Sequence, residues 1–207
     1  MNEIEKAAVI GAGTMGLGIA GQLANAGVQV TLLDMPSDGD NRNAIAERAL
    51  ERLLDENQPG LLHKDFLSRI QIGNIEDDMG LLADADWIAE AIVERLDLKK
   101  ALYKNIDAVR KNGSIVSSNT STIPISLLVE DMPESFQQEF AITHFFNPVR
   151  FMRLLELVRG ERTKQAVVNA LEEFCDKRLG KGIVVCNDTP GFLGNRVGVF
   201  AIQTALH

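Results

Sequence analysis

The sequence lacks several features that whole classes of protein require. Its formal net charge of −8 over 207 residues argues against a nucleic-acid-binding protein, because neutralising phosphates needs a basic face. Its two cysteines, Cys175 and Cys186, lie outside any CxxC or Cys/His pattern. They indicate reduced thiols in a cytoplasmic protein rather than a metal site. No apolar run approaches the roughly 20 residues of a membrane span, and the first residues lack the basic and apolar segments of a signal peptide.

What is present is a regular alternation of strand and helix patterns. Apolar and β-branched runs predict strands at 6–10, 28–33, 70–73, 87–93, 114–118, 139–143, 154–158 and 182–186, and helical patterns occupy 14–26, 96–110 and 163–178. This order predicts an α/β fold with a Rossmann-type, doubly wound, mostly parallel sheet and extra strands on its C-terminal side. Two further predicted helices, 43–56 and 61–69, form a helical-pair insertion. The pair is either a solvated crossover or a lid over a ligand.

A last helix is predicted from Pro190 to His207, with proline at a favourable starting position. Its apolar surface is broad, and no later residue of the sequence is there to cover it. We therefore expect a first domain at 1–187 and the first helix of an all-α second domain at 188–207. A shorter protein with a docked terminal helix is the alternative.

A glycine-rich turn joins the first predicted strand to the first helix: Gly11-Ala12-Gly13-Thr14-Met15-Gly16. In this pattern the first glycine allows the tight turn, the second lets the backbone approach a pyrophosphate, and the third lets helix and strand pack closely. The helix start then offers free N–H groups to phosphates. Asp34 ends the second strand about 20 residues further on, where a carboxylate accepts hydrogen bonds from ribose hydroxyls. With no arginine beside it, the pattern predicts NAD rather than NADP.

Polar patches follow three of the other strands, at the edge where open α/β sheets bind ligands. They are SNTST at 118–122, HFFNP at 144–148 and DTPGFLGNR at 188–196, and Glu156 interrupts the apolar strand LLELV. Taken singly, each patch has an ordinary structural explanation as a turn, a helix cap, a satisfied core histidine or a solvent-facing side chain. No metal site is predicted.

Beside an NAD site, the same residues fit the oxidation of a secondary alcohol. The hydroxyl must lose its proton as hydride leaves carbon, and His144 can take that proton because imidazole titrates near working pH. A buried Glu156 would fix the tautomer of His144 and stabilise the imidazolium. Ser121 and Asn195 would position and polarise the reacting oxygen.

The sequence resembles the NAD-binding part of the L-3-hydroxyacyl-CoA dehydrogenase family over nearly its whole length. The resemblance rests on GAGTMG at 11–16, EAIVE at 90–94 and the three patches above. It implies that His144 is the catalytic base and Glu156 its partner, and that Ser121 and Asn195 lie near the reacting oxygen. Cofactor contacts on the nicotinamide side are implied for Glu94, Lys99, Ser121 and Asn147.

The resemblance further implies an acyl-CoA substrate, oxidised with NAD in fatty-acid β-oxidation. The region 43–69 corresponds to the part of the family that contacts CoA, with Lys64 as a candidate only. Family members continue into a helical domain, so we expect a homodimer or a part of a larger multifunctional enzyme. An NAD-dependent dehydrogenase of another 3-hydroxy acid and a non-catalytic, crystallin-like relative stay open as alternatives.

Overall fold

The computed structural model describes residues 3–55 and 59–206, which form one eight-stranded sheet flanked by helices. The strands are β1 Lys6–Ile10, β2 Gln29–Asp34, β3 Ile70–Asn74, β4 Trp87–Glu90, β5 Ile115–Ser118, β6 Phe140–Phe145, β7 Leu154–Arg159 and β8 Gly182–Cys186. The α-helices are α1 Thr14–Asn25, α2 Ala44–Leu53, α3 Leu96–Val109, α4 Ile125–Leu128, α5 Glu134–Gln138, α6 Gln165–Lys177 and α7 Gly194–Leu206. Short 3₁₀ helices span Lys64–Arg69 and Met79–Asp84. No helix in the described part of the chain is long and apolar enough to cross a membrane.

The strand order is β3-β2-β1-β4-β5-β6-β7-β8. The first six strands are parallel in the Rossmann order, which reverses between β1 and β4 and so opens a crevice beside the glycine turn. The two extra strands extend the sheet, β7 antiparallel to β6 and β8 parallel to β7. The predicted fold class is confirmed.

Both faces of the central strands β4, β5 and β6 are buried, which explains why these strands read as mostly apolar runs. Along β1, Val9 packs into the apolar layer that contains Leu23 of α1. Its neighbour Ile10 points to the opposite face and joins the layer that contains Tyr103 of α3. Alternate residues of one strand therefore hold the two helical layers on the sheet.

The predicted helical pair is only half right. The first helix is α2, and its predicted end at Glu56 lies outside the described residues. The second segment forms no α-helix, because His63 is extended and its Nδ1 accepts the N–H of Asp65, which starts a 3₁₀ helix at Lys64. Only six residues then remain before β3, too few for a stable α-helix on their own.

The last helix begins later than the proline predicts. Gly191 and Phe192 have positive φ angles of 76° and 42°, so the chain makes a turn after Pro190 and α7 starts at Gly194. The apolar side chains of α7 are exposed, 69% for Phe200 and 62% for Ile202. A second helical domain beginning at 188 stays a prediction.

Candidate active site

The three glycines of the turn have different roles: two allow close packing and one leaves open space. A Cβ on Gly16 would overlap the carbonyl oxygen of Gly11, and Gly11 itself has a φ of 103°. A Cβ on Gly13 would meet nothing within 4 Å. The two outer glycines are therefore needed by the fold, whereas Gly13 leaves room at the start of α1 for a pyrophosphate.

The remaining residues of the turn have different surroundings. Ala12 is buried, and Met15 packs partly against the core. Thr14 is exposed, and its Oγ1 accepts a long hydrogen bond of 3.5 Å from Arg52. The start of α1 is thus anchored on its inner side and open on its outer side.

Asp34 lies beside this turn, as the dinucleotide pattern requires. One carboxylate oxygen accepts the N–H of Ala12 at 2.5 Å and the other accepts the N–H of Met35 at 2.6 Å. A cleft of about 540 Å³ begins here and continues along apolar side chains that include Met35 and Val93. An apolar cleft with a carboxylate at its rim fits an adenosine, so these residues fit NAD.

His144 and Glu156 form a buried pair. They lie directly opposite each other on the antiparallel strands β6 and β7, and Nδ1 of the imidazole is 2.6 Å from Oε2 of the carboxylate. Glu156 is fully buried and His144 is 7% exposed. The rings of Phe146 and Phe192 pack on the imidazole, with centroid distances of 4.6 and 5.7 Å. The arrangement can fix the orientation of the imidazole and stabilise its positive charge.

The other oxygen of Glu156 lies at the start of α7. Oε1 accepts the N–H groups of Leu193 at 2.8 Å and Gly194 at 2.6 Å. Asn195, the next residue, is exposed in the first turn of that helix. These two hydrogen bonds explain why α7 starts where it does, and they place Asn195 next to the residues that contact the dyad carboxylate.

Both cysteines are free thiols. The Sγ of Cys186 lies 3.9 Å from Oε1 of Glu156, and burial together with that carboxylate raises the pKa of the thiol. Burial alone raises the pKa of Cys175. Neither thiol is therefore poised as a nucleophile.

Ser121 is held by Glu94. One oxygen of this carboxylate accepts the hydroxyls of Thr120 and Thr122 and the N–H of Ser121, the last at 3.2 Å. Burial raises the pKa of Glu94, but these hydrogen bonds and the charge of Lys99 outweigh it and hold the pKa below its ordinary value. The charged form of Glu94 thus shapes the loop that carries Ser121.

Lys99 has a different position from the one that a direct cofactor contact suggests. Its side chain is 1% exposed, with Nζ 2.6 Å from Oε1 of Glu90 and 3.5 Å from Oε2 of Glu94. Both contacts are carboxylates of the EAIVE segment, so in this structure Lys99 is an internal partner of Glu90 and Glu94. Its contact with a cofactor stays a prediction.

The last predicted cofactor contact, Asn147, is exposed in the loop after β6, where it precedes Pro148 in a cis peptide bond. It borders a smaller cleft of about 190 Å³ together with Thr14.

Lys64, the candidate CoA contact, is exposed at the start of its 3₁₀ helix. Among the described residues, no group of three acidic, histidine or cysteine side chains is placed to hold a metal ion.

Sequence reasoning missed the role of Glu90. This fully buried carboxylate accepts hydrogen bonds from Lys99 and from three more donors, the N–H of Ile92 and the hydroxyls of Tyr103 and Ser118, each at 2.7 Å. The bond to Ile92 turns the chain out of the sheet, so β4 ends at Glu90 and not at residue 93 as predicted. Burial and the neighbouring carboxylate raise the pKa of Tyr103. A glutamate in an apolar strand, the signal that singled out Glu156, is present here too.

Two further residues were missed. Asn119 accepts the N–H of Phe145 at 2.9 Å and thereby ties the SNTST loop to the end of β6. Lys181 is 2% exposed, and its ammonium donates to the backbone carbonyls of Val149 and Met152. Burial lowers its pKa. Only the folded chain brings these partners together, because they are about 26 to 32 residues apart in sequence.

The family follows from comparison with known proteins. The sequence profile described as 3-hydroxyacyl-CoA dehydrogenase, NAD binding domain, matches residues 6–189. The chain belongs to this family. The predicted family and NAD as its cofactor are confirmed.

Relatives with the same domain are longer. A probable 3-hydroxyacyl-CoA dehydrogenase of Deinococcus radiodurans is 46% identical over 205 residues, which are 99% of this chain and 59% of the relative. The fatty acid oxidation complex subunit alpha of Psychrobacter arcticus is 38% identical over 199 residues, 95% of this chain and 27% of that protein. The chain thus spans less than two thirds of either relative.

A solved structure shares the fold. The 3-hydroxybutyryl-CoA dehydrogenase of Escherichia coli matches with a TM-score of 0.82 and 36% identity, over 95% of this chain and 41% of that one.

Proposed function

We propose that the intact protein oxidises (S)-3-hydroxyacyl-CoA to 3-ketoacyl-CoA in fatty-acid β-oxidation. The observation that carries the proposal is the buried pair of His144 and Glu156, 2.6 Å apart, in a chain whose glycine turn and Asp34 fit NAD. A histidine held by a carboxylate can act as a general base, and the oxidation of an alcohol needs one.

His144 is assigned the proton transfer. With its Nδ1–H donated to Glu156, the imidazole keeps a lone pair on Nε2, which takes the proton of the substrate hydroxyl. The carboxylate then stabilises the imidazolium that forms. When bound, NAD supplies the hydride acceptor. Phe146 and Phe192 keep water from one side of the imidazole.

The surrounding residues are assigned binding and orientation. Ser121 and Asn195 are proposed to hold the reacting oxygen, and Glu94 and Asn147 the nicotinamide side of the cofactor. The ammonium of Lys99 forms an ion pair with Glu94, with Nζ 3.5 Å from Oε2. The region 43–69 is proposed to face the CoA moiety.

The direct test is His144→Gln in the intact protein. We expect the reduction of acetoacetyl-CoA to fall by about 10²- to 10⁴-fold, the usual contribution of a general acid or base. NADH binding, measured by fluorescence titration, should change less than about twofold. Lys177→Gln is the control, because Lys177 ends α6 outside the proposed site, is 67% exposed and pairs with Glu173 one turn before it. If His144→Gln still reduces acetoacetyl-CoA at the unaltered rate, the assignment of His144 as the general base is wrong.

Substrate and assembly are parts of the same proposal. A panel of 3-hydroxyacyl-CoA esters and free 3-hydroxy acids distinguishes an acyl-CoA enzyme from a dehydrogenase of another 3-hydroxy acid. A non-catalytic relative would bind NADH and turn over none of them. We further propose a homodimer or a place in a larger multifunctional enzyme. The cytoplasmic location stays a prediction from the cysteine content.

A further inference from the structure

The catalytic dyad has a partner that the proton-transfer scheme does not use. Glu156 is completely buried, and a buried carboxylate is costly unless it is compensated. When His144 is neutral, it contributes a hydrogen bond and no charge. The compensation at Oε1 comes from the N–H groups of Leu193 and Gly194, at 2.8 and 2.6 Å.

Those two N–H groups belong to the start of α7, where a helix leaves its first N–H groups without partners within the helix. The same helix end carries a partial positive charge, which favours an anion. Because α7 is 13 residues long, this effect is that of a full helix. The helix start therefore stabilises the negative charge of Glu156 at Oε1, whereas a neutral His144 contributes only a hydrogen bond at Oε2.

Gly194 is shaped for this contact. A Cβ at this position would lie 2.9 Å from Cζ of Phe146 and 3.5 Å from Oε1 of Glu156. Phe146 in turn packs on the imidazole of His144. A glycine therefore lets the helix start approach the carboxylate without displacing the ring that covers the base.

We propose that the first turn of α7 is a working part of the dyad, with Gly194 as a positioning residue. Its N–H groups keep Glu156 ionised and aim Oε2 at His144, so the basicity of the dyad depends on where α7 lies. Asn195 is the second residue of α7. Movement of this helix therefore changes proton transfer and the position of Asn195 together. The catalytic meaning of this coupling rests on the proposed function; the coupling itself does not.

Titratable groups face Glu156 from two strands. His144 approaches from β6, and the Sγ of Cys186 on β8 lies 3.9 Å from Oε1. Burial raises the pKa of Cys186, so its thiol is neutral across the working range. Among the described residues, Glu156 thus contacts the imidazole of His144, the first N–H groups of α7 and this neutral thiol.

The test compares Gly194→Pro with Gly194→Ala in the intact protein. Both substitutions add the same Cβ beside Phe146, but only proline removes the N–H. Proline is accepted at the first position of a helix. Nitrogen NMR shifts of the His144 side chain, followed against pH, report the protonation of the dyad and need no turnover.

We expect the titration midpoint of the dyad to rise by about one pH unit in the proline variant relative to the alanine variant. Loss of a donor makes the ionised carboxylate less stable, and a hydrogen bond to a charged group corresponds to a shift of about that size. The acid limb of the oxidation rate against pH should move by the same amount. Equal midpoints in the two variants would overturn the proposal.

A measurement on the unaltered protein covers the case in which the proline variant does not fold. The amide resonances of Leu193 and Gly194 should titrate with the midpoint of His144, whereas that of Gly198, one turn further along α7, should not. If the amide resonances of Leu193 and Gly194 do not change at the pH where His144 titrates, the coupling is refuted. If they follow it but no 3-hydroxyacyl-CoA ester is oxidised, the proposed function fails and the coupling stands.

Discussion

The substitution Lys99→Met tests the buried ion pair between Lys99 and Glu90. It removes the ammonium 2.6 Å from Glu90, in a pair whose side chains are 1% and 0% exposed. Breaking a buried pair on one side costs about 3–5 kcal/mol, because the remaining charge is left without compensation. Glu90 keeps its three other donors, from Ile92, Tyr103 and Ser118. We therefore expect the lower end of that range.

Urea unfolding measures this loss. With an m-value of about 2 kcal/mol per molar urea, a loss of about 3 kcal/mol lowers the midpoint by about 1.5 M. Far-UV circular dichroism and the fluorescence of Trp87, the single tryptophan of this sequence, should report the same transition. Trp87 is fully buried, so its emission changes on unfolding.

Two companion variants decide whether charge is the cause. Lys104→Met removes an exposed lysine from the same helix and should leave the midpoint nearly unchanged. Glu90→Gln combined with Lys99→Met removes both charges and should recover part of the stability lost in the single variant. A Lys99→Met midpoint within about 0.3 M of the unaltered chain would refute the reasoning, since it would mean less than about 1 kcal/mol.

Two further predictions concern the cleft. Gly13→Ala should leave the urea midpoint unchanged and weaken NADH binding at least tenfold, because the added Cβ enters open space at the pyrophosphate position. Gly16→Ala should instead destabilise the fold, because its Cβ would overlap Gly11. The reverse pattern would contradict these separate roles of the two glycines. Glu94→Gln should lower the urea midpoint at neutral pH, where the carboxylate is ionised. Although burial raises the pKa of Glu94, its hydrogen bonds and Lys99 hold it below the ordinary value. The stabilisation is therefore present above that ordinary value and is lost as the pH falls through the lowered pKa. A difference between Glu94 and Gln that persists unchanged into strong acid would count against this account.

Local signals in the sequence predicted the dinucleotide half of the site. The glycine turn, the helix that follows it and Asp34 all lie within one strand–helix–strand unit, where short-range geometry determines their contacts. The alternation of strands and helices likewise predicted the parallel sheet. The resemblance of the later motifs then supplied the identity of His144 and Glu156 as partners.

Local signals failed where tertiary contacts compete with them. Proline predicted that the last helix starts at 190, but the carboxylate of Glu156, more than 30 residues away in the chain, draws the helix start to Gly194. The apolar run after Trp87 predicted a strand to 93, but Glu90 binds the N–H of Ile92 and ends it. In both places a buried carboxylate took backbone N–H groups that the local pattern assigned elsewhere.

The sequence by itself thus determined the fold class, the cofactor turn and the kinds of residue available for chemistry. Only the tertiary structure decided how the polar residues are paired. The antiparallel direction of β7 places Glu156 opposite His144, and a shift of one residue in that register would turn the carboxylate to the other face of the sheet. Pairing across strands depends on register and direction, which are properties of the assembled sheet and are not written in either strand alone.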